Sequence, residues 1–297
     1  MPHAPLIEEP VHFGEGGRLF GILTLPSVPS SDRQPLPWFV FFNAGLLHRV
    51  GPNRLYVRLA RQLAQSGFGS LRVDLAGKGD SPPRPGLTRN QSVAADYEEI
   101  LRGMESRLGS VTLVLGGLCA GADDAIQMAP NDARAVGLLL LDPICFPDSG
   151  FAARAAVLKY SRAANYVAWL KRRVKGQVPR AESAESKVDP LIYRAPPTLE
   201  ELRSAFVSIV ERRGRVLSVF SEYALRYYNQ PGQLARVLDV EGYGSYCTEV
   251  LWQETEHIYP LDVHRRRLME VVRTWADGFV RQGSATALQA ANPSSNT

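Results

Sequence analysis

Residues 111–130 read VTLVLGGLCAGADDAIQMAP, and the fold turns on them. The stretch from Val111 to Gly117 is one strand's length of mostly branched apolar residues, as a strand buried on both faces requires. From Ala120 the chain reads as a helix, which Pro130 closes because proline lacks the N–H to continue it. Between them stands Gly117-Leu118-Cys119-Ala120-Gly121. A strand that turns sharply into a helix leaves the middle residue projecting from the carboxyl edge of the sheet. Glycines must flank it, because a Cβ there would meet neighbouring backbone. Cys119 also sits at a helix N-terminus, where unpaired N–H groups and the helix dipole favour an anion. The thiolate is the reactive form of cysteine. The five residues alone also fit a small buried side chain in a tight turn. Strand, turn and helix together point to a nucleophile.

The pattern repeats outward from this unit. VHF and RLFGILTLP flank the turn GEGG and read as two short strands. WFVFFNAG is a buried strand, and a helix over about 53–66 follows with Leu55, Leu59 and Leu63 at four-residue spacing. GSLRVDLAGKGDS is a strand ending at Asp74 and a glycine-rich loop that lacks the spacing of either nucleotide-binding glycine motif. A helix over about 92–106 leads back to the opening stretch. After it come AVGLLLLDP (strand), RVLSVF (strand), QPGQLARVL (helix), TEVLWQ (strand) and a long terminal helix. Alternating strands and helices predict a mostly parallel central sheet flanked by helices. Residues 144–205 break the alternation and are expected to form an inserted helical cap. Residues 1–143 and 206–281 would then make the core, and 282–297, polar and rich in small residues, a disordered tail.

A cysteine nucleophile needs a base, and His257 lies where one is expected, after a late strand and before the terminal helix. The chain order nucleophile, acid, base then places a carboxylate between them. Glu222, in the loop after RVLSVF, is the first candidate, although the usual position, about three residues past the strand end, falls at Ala224. Asp142, at the end of the preceding strand, is the second. A third possibility orients the histidine by a backbone carbonyl or by Asn229. For the oxyanion, the N–H of Ala120 and one from the loop Asn43-Ala44-Gly45-Leu46 are expected, Gly45 first and Leu46 next. Asn43 and Arg49 in this loop are candidate substrate contacts, and Arg49 is equally suited to pinning the loop to an acidic neighbour. In the cap, residues 151–175 combine apolar residues at helical spacing with many arginines and lysines. Tyr160 and Trp169 are candidate pocket residues there, and the basic rim suits a coenzyme A or acyl-carrier-protein thioester.

The 297 residues carry a formal net charge of +4, with 45% hydrophobic and 22% charged residues, an ordinary globular composition. There is no interleaved basic and aromatic strip to suggest nucleic acid. No apolar run approaches the roughly 20 residues of a membrane span, and the N-terminal residues do not read as a secretory signal. Cys119, Cys145 and Cys247 are too few and scattered for a disulfide framework or a metal site. These features point to the cytoplasm, with no metal and no cofactor.

The stretches NAGLLHRVGPNRLYVRLARQLAQSGFGSLRVDLAGKGDS, GGLCAGADDAIQMAPNDARAVGLLLLDPICF and TEHIYPLDVHRRRL together resemble the α/β-hydrolase superfamily over about residues 10–281. More narrowly the chain is similar to hydrolases associated with exosortase and surface-polysaccharide gene clusters. That resemblance implies a Cys-His-acid arrangement like that of dienelactone hydrolases, on Cys119 and His257. It implies hydrolysis of an ester or thioester through a cysteine acyl-enzyme, on a small-molecule or carrier-bound acyl substrate. An acyltransferase or cyclase would use the same residues, and the missing carboxylate at Ala224 leaves room for a non-catalytic binding protein.

Overall fold

In the computed structural model residues 5–27, 35–158 and 194–291 are described, with side chains described as far as residue 281. The strands are β1 (Glu8–Phe13), β2 (Leu19–Thr24), β3 (Trp38–Phe42), β4 (Ser70–Val73), β5 (Leu113–Leu118), β6 (Ala135–Leu141), β7 (Arg215–Phe220) and β8 (Cys247–Leu251). They form one sheet in the order β1-β2-β4-β3-β5-β6-β7-β8. β1 and β2, and β2 and β4, pair antiparallel, and the other pairings are parallel. The main helices are α1 (Leu55–Gln65), α2 (Arg89–Leu108), α3 (Ala120–Met128), α4 (Leu199–Glu211), α5 (Gln233–Leu238), α6 (Tyr243–Tyr246) and α7 (Asp262–Ala291). The mostly parallel sheet with helices on its faces is the one the alternation predicts.

Period-two alternation explains why the central strands are apolar throughout. Val40 and Phe42 of β3, with Leu138 and Leu140 of β6, face the layer built on α2, α3 and α4. Phe39 and Phe41, with Leu139 and Leu141, face the layer built on α1 and α7. Both layers are closed to water, so the central strands β3 to β7 bury both their faces.

Two boundaries differ from those read in the sequence. The division at residue 205 falls inside α4, whose Leu202, Ala205, Phe206 and Ile209 are all buried against the sheet. Thr198 caps that helix in a capping box with Glu201, which fixes its start well before 205. At the other end, α7 runs to Ala291 rather than giving way at 281. Its last turns, SATALQAA, contain the alanine, leucine and glutamine that favour helix most. In the region read as a cap, residues 151–158 are helical. Tyr160, Trp169 and the basic run beyond them lie outside the described residues.

Candidate active site

Cys119 stands between β5 and α3 with φ 57° and ψ −113°, a conformation that side-chain-bearing residues rarely adopt. Such a backbone stores of order 1–3 kcal/mol and persists only where the surroundings enforce it. Here they do. The Cys119 N–H donates to the Leu141 carbonyl at 2.8 Å, while its own carbonyl accepts the N–H groups of Ala122 and Asp123. The Leu118 N–H donates at 2.7 Å to the hydroxyl of Tyr56, a fully buried ring stacked on Phe41. The flanking glycines are required by space. A Cβ on Gly117 would lie 2.8 Å from the Gly121 carbonyl carbon, and one on Gly121 only 2.5 Å from the Phe42 oxygen. Both obstacles are backbone, so neither side can yield. Gly121→Ala is therefore expected to destabilise the fold by about 3 kcal/mol. At roughly 2–4 °C per kcal/mol that is a melting temperature lower by several degrees, readable by thermal denaturation.

His257 lies six residues beyond β8 on a loop held immediately after it. Arg265 donates to the Tyr259 and Pro260 carbonyls at 2.7 and 2.6 Å, and Asn53 Nδ2 to the Ile258 carbonyl at 2.9 Å. The His257 Nδ1 lies 2.6 Å from Asp142 Oδ2. A carboxylate only accepts, so the Nδ1 proton is donated to it and Nε2 is left for Cys119. Asp142 is fully buried, and Ser221 completes its shell: the backbone N–H donates to Oδ1 and the hydroxyl to Oδ2, both at 2.6 Å. Burial works against a charged imidazole, but the bond to Asp142, the interaction with Cys119 and the charges of both outweigh it. The ring is pushed up to about 9. One face of the imidazole stacks on Tyr223, with centroids 4.1 Å apart, and Arg226 covers the other face of that tyrosine at 3.5 Å.

Of the carboxylates weighed from the sequence, Asp142 is the one at the histidine. Glu222, the first candidate, is exposed, and its backbone N–H donates to the Thr255 carbonyl. Its position at the start of a short 3-10 turn (Glu222–Arg226) turns the side chain to water. Asn229 is committed elsewhere, accepting from Arg154 and donating to the Phe151 carbonyl.

The loop after β3 folds inward on a buried acid. Asp74 accepts from Asn43 Nδ2, from the Arg49 backbone and from the Arg49 guanidinium. Arg49 also pairs with Asp80 and lies over the Phe20 ring. Asn43 further bonds the Leu47 carbonyl and the Leu75 N–H. Asn43 and Arg49, read as candidate substrate contacts, are thus loop-building residues, because a buried carboxylate must have its acceptors filled. The loop they fix contains a turn closed by the Leu47 N–H on the Ala44 carbonyl, with Gly45 at φ 61° and Leu46 exposed. Ala120 is buried at the first position of α3, where a helix leaves its N–H groups without an intrahelical acceptor.

Asp123 and Asp124, in the first turns of α3, do more than complement its dipole. Both are fully buried; Arg194 pairs with Asp123 at 2.5 Å and Arg89 with Asp124 at 2.7 Å. Arg194, Tyr223 and Tyr227 belong to this neighbourhood, and no local pattern in the sequence marked them. Cys145 and Cys247 are packing residues whose thiols burial pushes up to about 12. Among the described residues no group of His, Cys, Asp or Glu is arranged to hold a metal ion. No helix among them is long and apolar enough to cross a membrane.

Residues 46–215, from the loop after β3 to the start of β7, match the profile of the family described as serine aminopeptidase, S33. No curated protein matches the chain. Among solved structures it is similar to Est1E from Butyrivibrio proteoclasticus, at 14% identity and a TM-score of 0.56, over 92% of this chain and 99% of that one. It is similar to a dienelactone hydrolase from Anabaena variabilis at 11% identity and 0.51, over 93% and 99%. A third, from Xanthomonas campestris and described as an α/β serine hydrolase without lid, aligns at 15% identity and 0.50, over 95% and 97%. At these identities the likeness is one of fold.

Proposed function

Because the chain belongs to the serine aminopeptidase S33 family and has the α/β-hydrolase fold, we propose that it is a hydrolase of esters or thioesters whose nucleophile is Cys119. The family's name specifies a serine, whereas the residue at the strained turn here is a cysteine. The observation that carries the reading is the pairing of that turn with a histidine fixed by a fully buried carboxylate.

The steps follow from those positions. The Cys119 proton passes to His257 Nε2, and the sulfur attacks the acyl carbon. The carbonyl oxygen takes up the negative charge, and the N–H groups of Ala120 and of Gly45 or Leu46 donate to it. The carbon–oxygen or carbon–sulfur bond to the leaving group breaks, and the alcohol or thiol departs with the proton from His257. Water then gives a proton to His257, attacks the thioester acyl-enzyme and releases the acid, and Cys119 recovers its proton. Asp142 holds the ring in the tautomer this requires and stabilises it when charged.

Intact-protein mass spectrometry after brief exposure to 4-nitrophenyl butyrate and to butyryl-coenzyme A tests this. A butyryl adduct on Cys119 is expected, absent in Cys119→Ala and decaying as butyrate appears. Turnover retained in Cys119→Ala without an adduct would sink the reading. An adduct discharged only when an amine or alcohol is added would assign acyl transfer instead of hydrolysis.

A further inference from the structure

Arg194 is 11% exposed at its side chain, with Nε 2.5 Å from Asp123 Oδ2 and Nη2 3.3 Å from Oδ1. The Asp123 N–H in turn donates to the Cys119 carbonyl at 3.1 Å, so the guanidinium is anchored one helical turn from the nucleophile. The next residue is tied to the same helix, the Ala195 carbonyl accepting from Gln127 Nε2 at 2.9 Å. A guanidinium has five N–H donors, and Asp123 engages two of these N–H groups. A buried ion pair stabilises a fold little better than apolar residues of the same volume. Burying one beside a nucleophile, with donors in excess of its partner among the described residues, fits a binding group better than a structural one.

Tyr227 supplies a second, independent observation. It closes the segment whose Ser221 bonds Asp142 and whose Tyr223 stacks on His257. Its hydroxyl is buried and has no hydrogen-bond partner among the described residues. Burial raises that hydroxyl, the charges of Asp142 and Cys119 add to it, and Arg194 pulls the other way. Hydroxyl, guanidinium and nucleophile thus share one electrostatic neighbourhood. An unpaired buried hydroxyl calls for an acceptor.

We propose that Arg194 and the Tyr227 hydroxyl form a subsite beside Cys119 for a carboxylate carried by the substrate. A planar guanidinium matches a carboxylate with paired N–H donors, and the phenol donates one more. The subsite deepens the hydrolase reading and rests on Cys119 as nucleophile. The carboxylate belongs to either the acyl half or the alcohol half of the substrate, and the substrates of the test separate the two.

Three esters serve: mono-4-nitrophenyl glutarate (acid on the acyl half), 4-carboxyphenyl pentanoate (acid on the alcohol half) and 4-nitrophenyl pentanoate (neither). On one of the acidic esters, Arg194→Gln is expected to lose about 100-fold more kcat/KM than on the neutral ester. Tyr227→Phe, which deletes only a hydroxyl without a partner among the described residues, is expected to lose about 10-fold more. Equal losses on all three esters overturn the subsite. Calorimetric titration of glutarate into Cys119→Ala reads the same site without turnover. Adding Tyr227→Phe is expected to weaken binding about 10-fold. Unchanged affinity, or no binding to Cys119→Ala, overturns the subsite. Weakened binding with no ester acylating Cys119 in the otherwise unaltered protein would keep the subsite and sink the nucleophile.

Discussion

Replacing Cys119 by alanine is expected to lower turnover by roughly 10⁵–10⁶-fold, since the covalent path is removed and only binding and the oxyanion donors remain. The sharper result is expected from Cys119→Ser, which keeps a nucleophile of nearly the same shape at the same turn. His257 is pushed up to about 9, so its imidazole is charged at neutral pH. A charged imidazole suits a thiolate partner and is useless as a base toward a hydroxyl. Cys119→Ser takes away the part of that rise that comes from Cys119 and keeps the part that comes from Asp142, and it is expected to lose on the order of 10³-fold at pH 7. Its activity should climb as the pH is raised, because neutral imidazole is gained. The unaltered protein should do the opposite, holding its rate from neutral pH and declining above about 9 as His257 loses the proton that protects the pair. Parallel pH–rate profiles of the two proteins check this. Two curves rising together would mean that His257 works as a neutral base for cysteine as well.

The same turn sets stability against activity. Cys119→Gly frees the backbone of a conformation that costs of order 1–3 kcal/mol in a residue with a side chain. The elbow's geometry explains why it was legible in one dimension. Gly117 and Gly121 are imposed by the contacts of adjacent elements, so a five-residue pattern with a strand before and a helix after carries most of the information. His257 was legible from chain order. The acid was not, for a physical reason: β6 and β7 run parallel and in register, with Leu141 beside Val219. Residues leaving the two strand ends converge on the same point, and a reading along the chain does not say which strand delivers the carboxylate. Asp142 takes the place, and Ser221 from the other strand becomes its donor. Asn43 and Arg49 stand beside the site, but the buried Asp74 behind them takes their donors, which for Arg49 is the loop-pinning role the sequence also offered. Arg194 gave no signal, since its partner Asp123 lies 71 residues away in the chain.

Asp142→Asn is expected to lower kcat/KM by about 10³–10⁴-fold, and Glu222→Gln to change it by no more than about 2-fold. The contrast follows from what each carboxylate touches. Asp142 is fully buried and fills its acceptors with the Ser221 N–H, the Ser221 hydroxyl and His257 Nδ1. An amide at that place presents an N–H₂ that either faces the Nδ1 proton or turns the ring to the wrong tautomer. Glu222 points to water. The pH dependence gives a second readout. A histidine whose folded value is raised from 6.5 to about 9 contributes stability that is complete below 6.5 and is lost as pH rises through about 9. Much of that contribution depends on the Asp142 charge, so Asp142→Asn should bring the alkaline limb of the rate profile toward neutrality. It should also cost more stability at pH 6 than at pH 10, measured by denaturant unfolding at the two values. An equal loss at both would mean that Asp142 serves only to hold the ends of β6 and β7 together. A full rate in Asp142→Asn would leave the proposed chemistry to Cys119 and His257 alone.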